Sequence, residues 1–168
     1  MRRNRAVRHT IILLGALSFA LLATPNSLPA EQKRKGSINV ALGIAKSNDN
    51  ETGNFGLLKS VDWNLLSGWV SGGINFGIIK NEILAMGNVS LKIPLSRIEP
   101  FVTAGYGIII ERFSLASNYG GGIRFRLGKK IGIVAEYRKL HFKYKEKRDG
   151  TQSTVAVDFF GGGLFYFF

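Results

Sequence analysis

The histidines are the first residues to consider for catalysis or metal binding. The chain has only two, His9 and His141, and it has no cysteine. Without cysteine there are no thiolate metal ligands, no disulfides and no thiol nucleophiles. His141 is the single imidazole beyond the first ten residues, and no nucleophile or acid lies at a spacing that completes a triad around it. The sequence predicts no metal, no cofactor and no catalytic residue, and we interpret His141 as a side chain at a strand end.

A glycine-rich segment, residues 120–130, has the general composition of a phosphate-binding loop. Its spacing does not fit, because five residues separate Gly122 from Gly128 and that loop has four. Lys130 also occupies the position that needs Ser or Thr. We interpret these glycines as positions where strands bend and bulky neighbours find room.

Two groups of charged residues remain as candidates for electrostatic roles. The first group mixes acids and arginines in the C-terminal half of the chain: Glu111, Arg124, Arg126, Glu136 and Arg138. The second group contains only cations, spread along the chain: Lys46, Lys80, Arg112, Lys143 and Lys145. The role of each group depends on the secondary-structure elements in which its residues lie.

The formal net charge of +12 in 168 residues is not gathered on one face. Arg2, Arg3, Arg5 and Arg8 lie within the first ten residues, where no acid offsets them. The other cations are scattered near the ends of the predicted strands. This distribution argues against nucleic acid as a partner, and the length leaves room for one domain and a targeting segment.

The first thirty residues have the order of a secretory signal peptide. A basic start precedes an apolar run from Ile11 to Ala23, and small or tolerated residues precede Glu31. The apolar run is too short for a transmembrane helix, which takes about 20 residues. We predict a signal peptide over residues 1–30, cleaved after Ala30, and a mature domain over residues 31–168. The alternative is an uncleaved start of a cytosolic protein.

Beyond the signal segment, apolar residues recur with a period of two, which is typical of β-strands. In the first strand Ile38, Val40 and Leu42 alternate with smaller residues. The alternation recurs in six further segments, the last ending at Phe168, and the weaker segment Phe55–Leu65 makes eight. The predicted short turns are Leu66–Gly68, Ser96–Pro100 and Gly128–Lys130, and the predicted outer connections are Ser47–Asn54, the residues around Asn81, Phe113–Ser117 and Glu146–Gln152.

The two faces of these strands differ in side-chain size. One face carries bulky apolar residues, and the other is mostly Gly, Ala, Ser and Asn. The tight lumen of an eight-stranded barrel accepts such small side chains, and the bulky face would then meet lipid. We predict an all-β fold, a single antiparallel eight-stranded transmembrane β-barrel. The alternative is a soluble β-sandwich or lipocalin, whose strands also alternate.

In this barrel the first charged group falls on the inward face of three successive strands. Buried charges must pair or remain hydrated. We favour a network of salt bridges that fills the lumen over a narrow charged channel.

The second charged group falls at the outer ends of the rising strands. Lipopolysaccharide carries phosphates at that level, and the cations could form charge-assisted hydrogen bonds with them. The alternative is that charges collect at strand ends because lipid excludes them.

Four segments in the second half of the chain resemble the small outer-membrane β-barrel proteins of the opacity and porin-like family. They are Pro100–Gly107, Asn118–Phe125, Ile133–Arg138 and Gly161–Phe168. The resemblance implies the barrel fold, a place in the bacterial outer membrane after export, and no single activity. The aromatic residues that end at Phe168 are similar to the signal by which the barrel assembly machinery recognises its precursors.

Outer-membrane lipid A deacylases are also similar in overall architecture, and they place a His two residues before a nucleophilic Ser. The corresponding position after His141 is Lys143, so this nucleophile is missing. We therefore expect an integral outer-membrane protein with a structural or surface role, no catalytic activity, and outer-membrane lipids including lipopolysaccharide as partners. The alternatives are a deacylase-like lipid-modifying enzyme and a narrow porin-like channel.

Overall fold

The computed structural model describes most of the chain after residue 34. The described ranges are residues 35–47, 50–66, 68–79, 81–95, 97–145 and 152–168. Within the strands, the side chains at positions 50–52, 143–145, 152 and 153 are outside the description. The predicted signal peptide and Lys80 lie outside the described residues, and cleavage after Ala30 stays a prediction.

The described residues fold into eight strands. They are β1 (Gly36–Ser47), β2 (Asn50–Leu66), β3 (Val70–Ile79), β4 (Glu82–Lys92), β5 (Ile98–Ile109), β6 (Ser114–Arg126), β7 (Ile131–Lys145) and β8 (Gln152–Phe167). Each strand pairs antiparallel with the next, and β8 pairs antiparallel with β1, so the sheet closes on itself. This confirms the predicted single antiparallel eight-stranded β-barrel. No helix in the described part of the chain is long and apolar enough to cross a membrane.

β2 is the strand that the sequence indicated least clearly. It has 17 residues, begins before the predicted position, and pairs with β1 over most of its length. Its side chains alternate, with Leu58 and Asp62 buried and Phe55 and Trp63 exposed. The alternation is hard to see in the sequence because Leu58 faces inward and Lys59 faces outward. The weak eighth segment is therefore a full strand.

Three connections differ from their predicted positions. β2 begins at Asn50, inside the predicted connection Ser47–Asn54, and the turns at the two ends of β5 also differ. β5 begins one residue before Glu99, so Glu99 belongs to a strand and not to the predicted turn. β5 ends at Ile109, and residues 110–113 form the turn to β6, earlier than the predicted connection. In that turn Phe113 has a φ of 49°, and Asn81 in the β3–β4 turn has a φ of 64°. Both adopt the left-handed conformation that tight turns between antiparallel strands require.

The barrel has opposite polarity on its two faces. On the outside, Leu42, Val102 and Leu164 are 51%, 52% and 60% exposed. On the inside, small and polar side chains such as Asn39 and Thr103 are buried. The bulky apolar residues therefore lie on the outer surface, as the alternation predicted. Below, the terminal end is the end of the barrel where β1 begins and β8 ends, and the distal end is the opposite one.

Candidate functional site

Arg124 lies at the centre of a cluster of charged side chains in the lumen near the terminal end. Its side chain is 3% exposed. Its Nη1 donates to Glu99 Oε1 of β5 at 3.0 Å, and its Nη2 donates to Asp62 Oδ2 of β2 at 3.0 Å. Arg126 Nη2 donates to the other oxygen of Glu99 at 2.8 Å. The buried Lys92 donates from Nζ to Asn64 Oδ1 at 3.3 Å at the same end of the lumen. We call Asp62, Lys92, Glu99, Arg124 and Arg126 the charged layer.

Aromatic rings cover the arginines of the charged layer. The guanidinium carbon of Arg124 lies 4.9 Å from the ring centroid of Phe101 and 5.8 Å from that of Phe165. The guanidinium carbon of Arg126 lies 5.4 Å from the ring centroid of Phe167. A cation above an aromatic face is attracted by the ring quadrupole, more strongly where water is excluded. The rings therefore stabilise the two guanidinium groups at the positions from which they donate to the carboxylates.

A neutral amide also binds the charged layer. Asn39 Nδ2 donates to Ser60 Oγ at 2.7 Å and to Asp62 Oδ2 at 2.9 Å. Asp62 Oδ2 therefore accepts from both Asn39 and Arg124. Hydrogen bonds to a buried carboxylate offset the free-energy cost of its desolvation.

A cavity of about 10 Å³ opens beside the charged layer at the terminal end. Asn64, Lys92, Glu99, Arg126 and Phe167 are among its lining residues. A volume of about 10–15 Å³ holds one water molecule. The cavity has polar partners for a water and no room for an organic ligand.

A second ion pair lies inside the lumen, apart from the charged layer. Arg138 donates from Nε and Nη2 to Glu136 Oε2 at 3.0 and 2.8 Å. Both side chains are 6% exposed. Next to the apolar residues of the distal end, Asn118 Nδ2 donates to Asn88 Oδ1 at 2.9 Å.

Four of the five charged residues predicted in the lumen are there, divided between two groups. Arg124 and Arg126 belong to the charged layer, and Glu136 and Arg138 pair with each other. The prediction was wrong for Glu111, which is exposed in the turn after β5. The alternation that placed it inside ends with the strand at Ile109, two residues earlier.

Sequence reasoning did not identify the acids that pair with Arg124. Asp62 lies in the strand with the weakest alternation, and Glu99 lies in the segment predicted as a turn. The inward position of Lys92 was visible from the alternation of β4. A buried arginine requires a buried acid, and that requirement was the signal that could have directed attention to Asp62 and Glu99.

The distal end of the lumen is filled by apolar side chains. We call the following residues the apolar layer: Ala45, Leu58, Ile79, Leu84, Met86, Ile109, Ala116, Leu140, Phe142, Val157 and Phe159. None of them is more than 5% exposed. The Phe159 ring lies where a side chain on Gly56 or Gly161 would stand, since a Cβ at these positions would come within 2.9 and 2.4 Å of the ring. Glycine at these two positions lets a phenylalanine lie across the lumen.

On the outer surface, a polar cluster lies near the distal ends of β6, β7, β8 and β1. Tyr137 Oη donates to Asp158 Oδ1 at 2.6 Å, and Lys139 Nζ lies 3.8 Å from the same oxygen. Lys46 is the direct cross-strand partner of Asp158 on the other side. We call the cluster the boundary patch, and its members are Lys46, Tyr119, Tyr137, Lys139, His141 and Asp158.

His141 belongs to the boundary patch and has a neighbour that the sequence did not suggest. Its ring stacks on Tyr119, with 5.7 Å between ring centroids. Ser117 is its direct cross-strand partner on β6. Among the described side chains, no hydrogen bond joins His141 to Ser117 or to a carboxylate, and Asp158 is bound by Tyr137 and Lys139. A triad needs a nucleophile–base and a base–acid hydrogen bond, and this arrangement has neither.

The five cations predicted at the strand ends have different surroundings. Lys46 is exposed on β1, and Arg112 pairs with Glu82 at 2.6 Å in the turn region. Lys80 lies outside the described residues. Lys143 and Lys145 lie in β7, where the side chains are not described. A belt made of all five therefore stays a prediction.

One cation departs from the apolar character of the outer surface. Lys59 is exposed on β2, and its cross-strand partners are Val40 and Phe76. Its neighbours on the same face of β2 are Leu57 and Val61. No carboxylate of the described residues forms an ion pair with it. Lys59 is therefore a charge surrounded by apolar neighbours on the outer face, away from the boundary patch.

Comparisons with known proteins identify the fold and no family. No family model and no curated protein matches the chain. A de novo designed transmembrane β-barrel is similar over 82% of this chain and 99% of its own, with 17% identity and a TM-score of 0.53. Neisserial surface protein A is similar over 78% of this chain and 94% of its own, with 11% identity and a TM-score of 0.54.

The N-terminal β-barrel domain of OprF from Pseudomonas aeruginosa is similar over 81% of this chain and all of its own, with 14% identity and a TM-score of 0.52. At these identities the likeness concerns the fold. The resemblance to the opacity and porin-like family stays a prediction.

Proposed function

We propose that this chain is an integral protein of the bacterial outer membrane, with a closed barrel that has a structural or surface role and no catalytic activity. The observation that carries the proposal is the pairing of an apolar outer face with a lumen filled at its distal end. The similar solved structures support it through their fold.

The outer face supports a membrane location on physical grounds. A soluble lipocalin or sandwich buries its bulky apolar face, whereas here Ile44, Ile123 and Leu164 are 62%, 53% and 60% exposed. Ten positions separate Asp158 on β8 from Phe168, the residue that follows this strand, about 25 Å along the membrane normal for a strand tilted by about 40°. The apolar band of an outer-membrane barrel has about that height.

The lumen supports a closed barrel rather than a channel. The apolar layer fills the distal end, and apolar constrictions exclude water and ions. In the charged layer at the terminal end, Arg124 and Arg126 form ion pairs with Asp62 and Glu99, and a cavity of only about 10 Å³ lies beside them. The charged residues therefore act as lumen filling.

The remaining partners belong to the same proposal. Export follows from the signal peptide cleaved after Ala30, and Phe168 ends the aromatic strand that the barrel assembly machinery would recognise. Tyr166 and Phe168 are exposed on the outer face. Outer-membrane lipids, including lipopolysaccharide, contact that face.

A first experiment tests location and fold together. Membranes of cells that express the full chain are separated into inner and outer fractions, and the barrel is run on gels with and without heating. We expect the protein in the outer fraction and a change in mobility on heating. A monomer that folds in plain buffer without detergent would contradict the proposal.

A second experiment tests the closed lumen. The barrel is inserted into planar bilayers, and insertion is verified by heat-dependent mobility of protein recovered from the same lipid. We expect no discrete conductance steps. Reproducible steps would favour the narrow channel and contradict the closed barrel.

The enzyme alternative is tested by mass spectrometry of lipid A. The position of Ser117 across from His141 is the observation that keeps this test worthwhile. We expect the same acyl pattern in cells with and without the protein. A changed pattern that disappears in His141→Ala and in Ser117→Ala would establish a lipid-modifying enzyme.

A further inference from the structure

Three charged residues of the boundary patch form one row across three strands. Asp158 of β8 pairs directly with Lys46 of β1 on one side and with Lys139 of β7 on the other. Adjacent strands lie about 4.8 Å apart, so the strand positions of the two lysines are about 10 Å apart, with one carboxylate between them. The row carries more positive than negative charge.

The carboxylate positions one of these lysines. Asp158 accepts a hydrogen bond from Tyr137 Oη at 2.6 Å and lies 3.8 Å from Lys139 Nζ. Lys139 and Asp158 are 30% and 28% exposed, so water still reaches both. Next to Lys139, Tyr119 and His141 stack and present a phenol and an imidazole. The patch offers several hydrogen-bond donors around one acceptor.

The row lies where the apolar face of the strands ends. Below Asp158 on the same face of β8 come Phe160, Leu164 and Tyr166, all exposed. Below Lys46 on β1 comes Ile44, which is also exposed. The row therefore lies at one edge of the apolar band, at the level of the lipid headgroups, and the predicted outer connections place that edge in the outer leaflet.

The opposite side of the barrel shows a different arrangement. On β3, β4 and β5 the outward residues Ile78, Ile83 and Ile108 continue the apolar face to the strand ends. Arg112 lies in the following turn, and Glu82 neutralises its charge at 2.6 Å. Exclusion of charge by lipid explains charges in turns. It does not explain two lysines and a histidine within strands on the face that continues the apolar band.

We propose that the boundary patch binds a phosphorylated sugar headgroup of an outer-leaflet glycolipid, the chemistry that lipopolysaccharide presents. Lys46 and Lys139 bind the phosphate, and Asp158 accepts from a sugar hydroxyl or amide. Charge-assisted hydrogen bonds are about twice as strong as neutral ones. The inference rests on the proposed outer-membrane location, and it replaces a uniform belt of cations by one site on one side.

The test uses the full barrel in vesicles of defined lipid. Three vesicles are compared, each of phosphatidylcholine with one added lipid: bisphosphorylated lipid A, the same lipid A without phosphates, or phosphatidylglycerol. Native mass spectrometry measures the lipid that stays bound after release from the vesicle. We expect retention of bisphosphorylated lipid A only. Equal retention of phosphatidylglycerol would overturn the sugar-specific proposal.

Variants separate the site from its surroundings. Lys46→Gln combined with Lys139→Gln removes two charge-assisted contacts, and we expect about tenfold less retained lipid A. Lys129→Gln combined with Lys130→Gln makes the same charge change at the opposite end of the barrel and should change nothing. Asp158→Asn keeps an oxygen that accepts from the sugar and removes the negative charge that competes with the phosphate for Lys139, so retention of bisphosphorylated lipid A should increase, an effect that a merely structural role would not produce.

The outcomes distinguish the site from the proposed function. If the barrel does not insert into any vesicle, the proposed membrane location fails. If it inserts with heat-dependent mobility and the lysine variant retains lipid A as the wild type does, the location stands and the site is wrong.

Discussion

The two ends of the lumen are filled in different ways. At the terminal end the charged layer joins β2, β5 and β6 through specific ion pairs, with Arg124 between two carboxylates. At the distal end the apolar layer joins all eight strands through side chains such as Leu58 and Phe159, without a hydrogen bond between them. Both kinds of filling therefore occur within the lumen of one eight-stranded barrel.

The difference teaches what each kind of filling requires. An apolar layer needs matched volumes, because voids and overlaps both cost free energy. A charged layer needs matched geometry, because every buried charge without a partner costs more than a void does. The charged layer is therefore more sensitive to the loss of one partner, and the apolar layer is more open to compensation.

The largest expected effect is at Arg124. Arg124→Met keeps most of the volume and leaves Asp62 without its arginine and Glu99 with only Arg126. Breaking a buried ion pair from one side costs about 3 to 5 kcal/mol, and we expect that loss in the free energy of unfolding. Urea unfolding in phospholipid vesicles, followed by tryptophan fluorescence, measures it.

An exposed ion pair provides the matched control for Arg124→Met. Arg112 pairs with Glu82 at 2.6 Å, and its side chain is 52% exposed. Arg112→Met is expected to cost about 0 to 1 kcal/mol, the usual range for surface pairs. Equal losses at the two sites would show that the charged layer is hydrated like the surface.

The next largest loss of stability is expected in the apolar layer, where a second substitution can compensate for part of it. Leu58→Ala should cost about 2 to 5 kcal/mol through lost burial and the remaining cavity. A Cβ on Gly77 would lie 2.4 Å from Leu58 Cδ2, so Gly77→Ala alone forces Leu58 to move. In the Leu58→Ala background that overlap disappears and only the 3.0 Å approach to the Leu57 carbonyl oxygen remains, so Gly77→Ala should recover part of the loss.

A double-mutant cycle over Leu58 and Gly77, measured by the same unfolding experiment, checks this coupling. Additive losses would mean that the two positions do not share the space. In the charged layer, a substitution that only refills the lost volume cannot compensate for a lost ion pair. This is the difference between the two ends of the lumen.

The inward arginines were predictable from the sequence, and their partners were not. Alternation fixes the face of every residue in a strand, so Arg124 and Arg126 were assigned inward correctly. Asp62 and Glu99 lie 62 and 25 residues from Arg124 along the chain. Which acid meets Arg124 depends on strand register and on closure of the barrel, and neither can be deduced from one strand.

Strand ends and strand register also explain the other differences between the predicted and the observed positions. Glu111 was assigned to the lumen because alternation was extended two residues past the end of β5, and strand ends are the least predictable part of such patterns. The positions of Ser117 and Asp158 around His141 depend on the register of β6, β7 and β8. The strand count and the polarity of the two faces were predictable because they follow from each strand separately.

The smallest effect concerns a cation on the outside of the barrel, where neither kind of filling applies. Trp63 is an exposed aromatic residue of the kind that lies at the membrane interface. Lys59 lies four positions from Trp63 along β2, about 10 Å along the membrane normal for a strand tilted by about 40°. Lysine on the lipid face of a barrel costs about 2 to 4 kcal/mol at the bilayer midplane and about 0 to 1 near the interfaces. Lys59 stands between these depths.

Lys59→Leu is therefore expected to raise the free energy of unfolding by about 1 to 3 kcal/mol in phospholipid vesicles, because it removes a charge from the lipid face. Lys130→Leu, in the turn at the terminal end, is the control and should have a smaller effect. The contrast with Arg124 is one of sign: removing a paired charge from the lumen destabilises the barrel, and removing an unpaired one from its outer face stabilises it. If Lys59→Leu instead lowers stability, Lys59 has a partner in the bilayer, and the outer face of β2 is an interface rather than a lipid-facing surface.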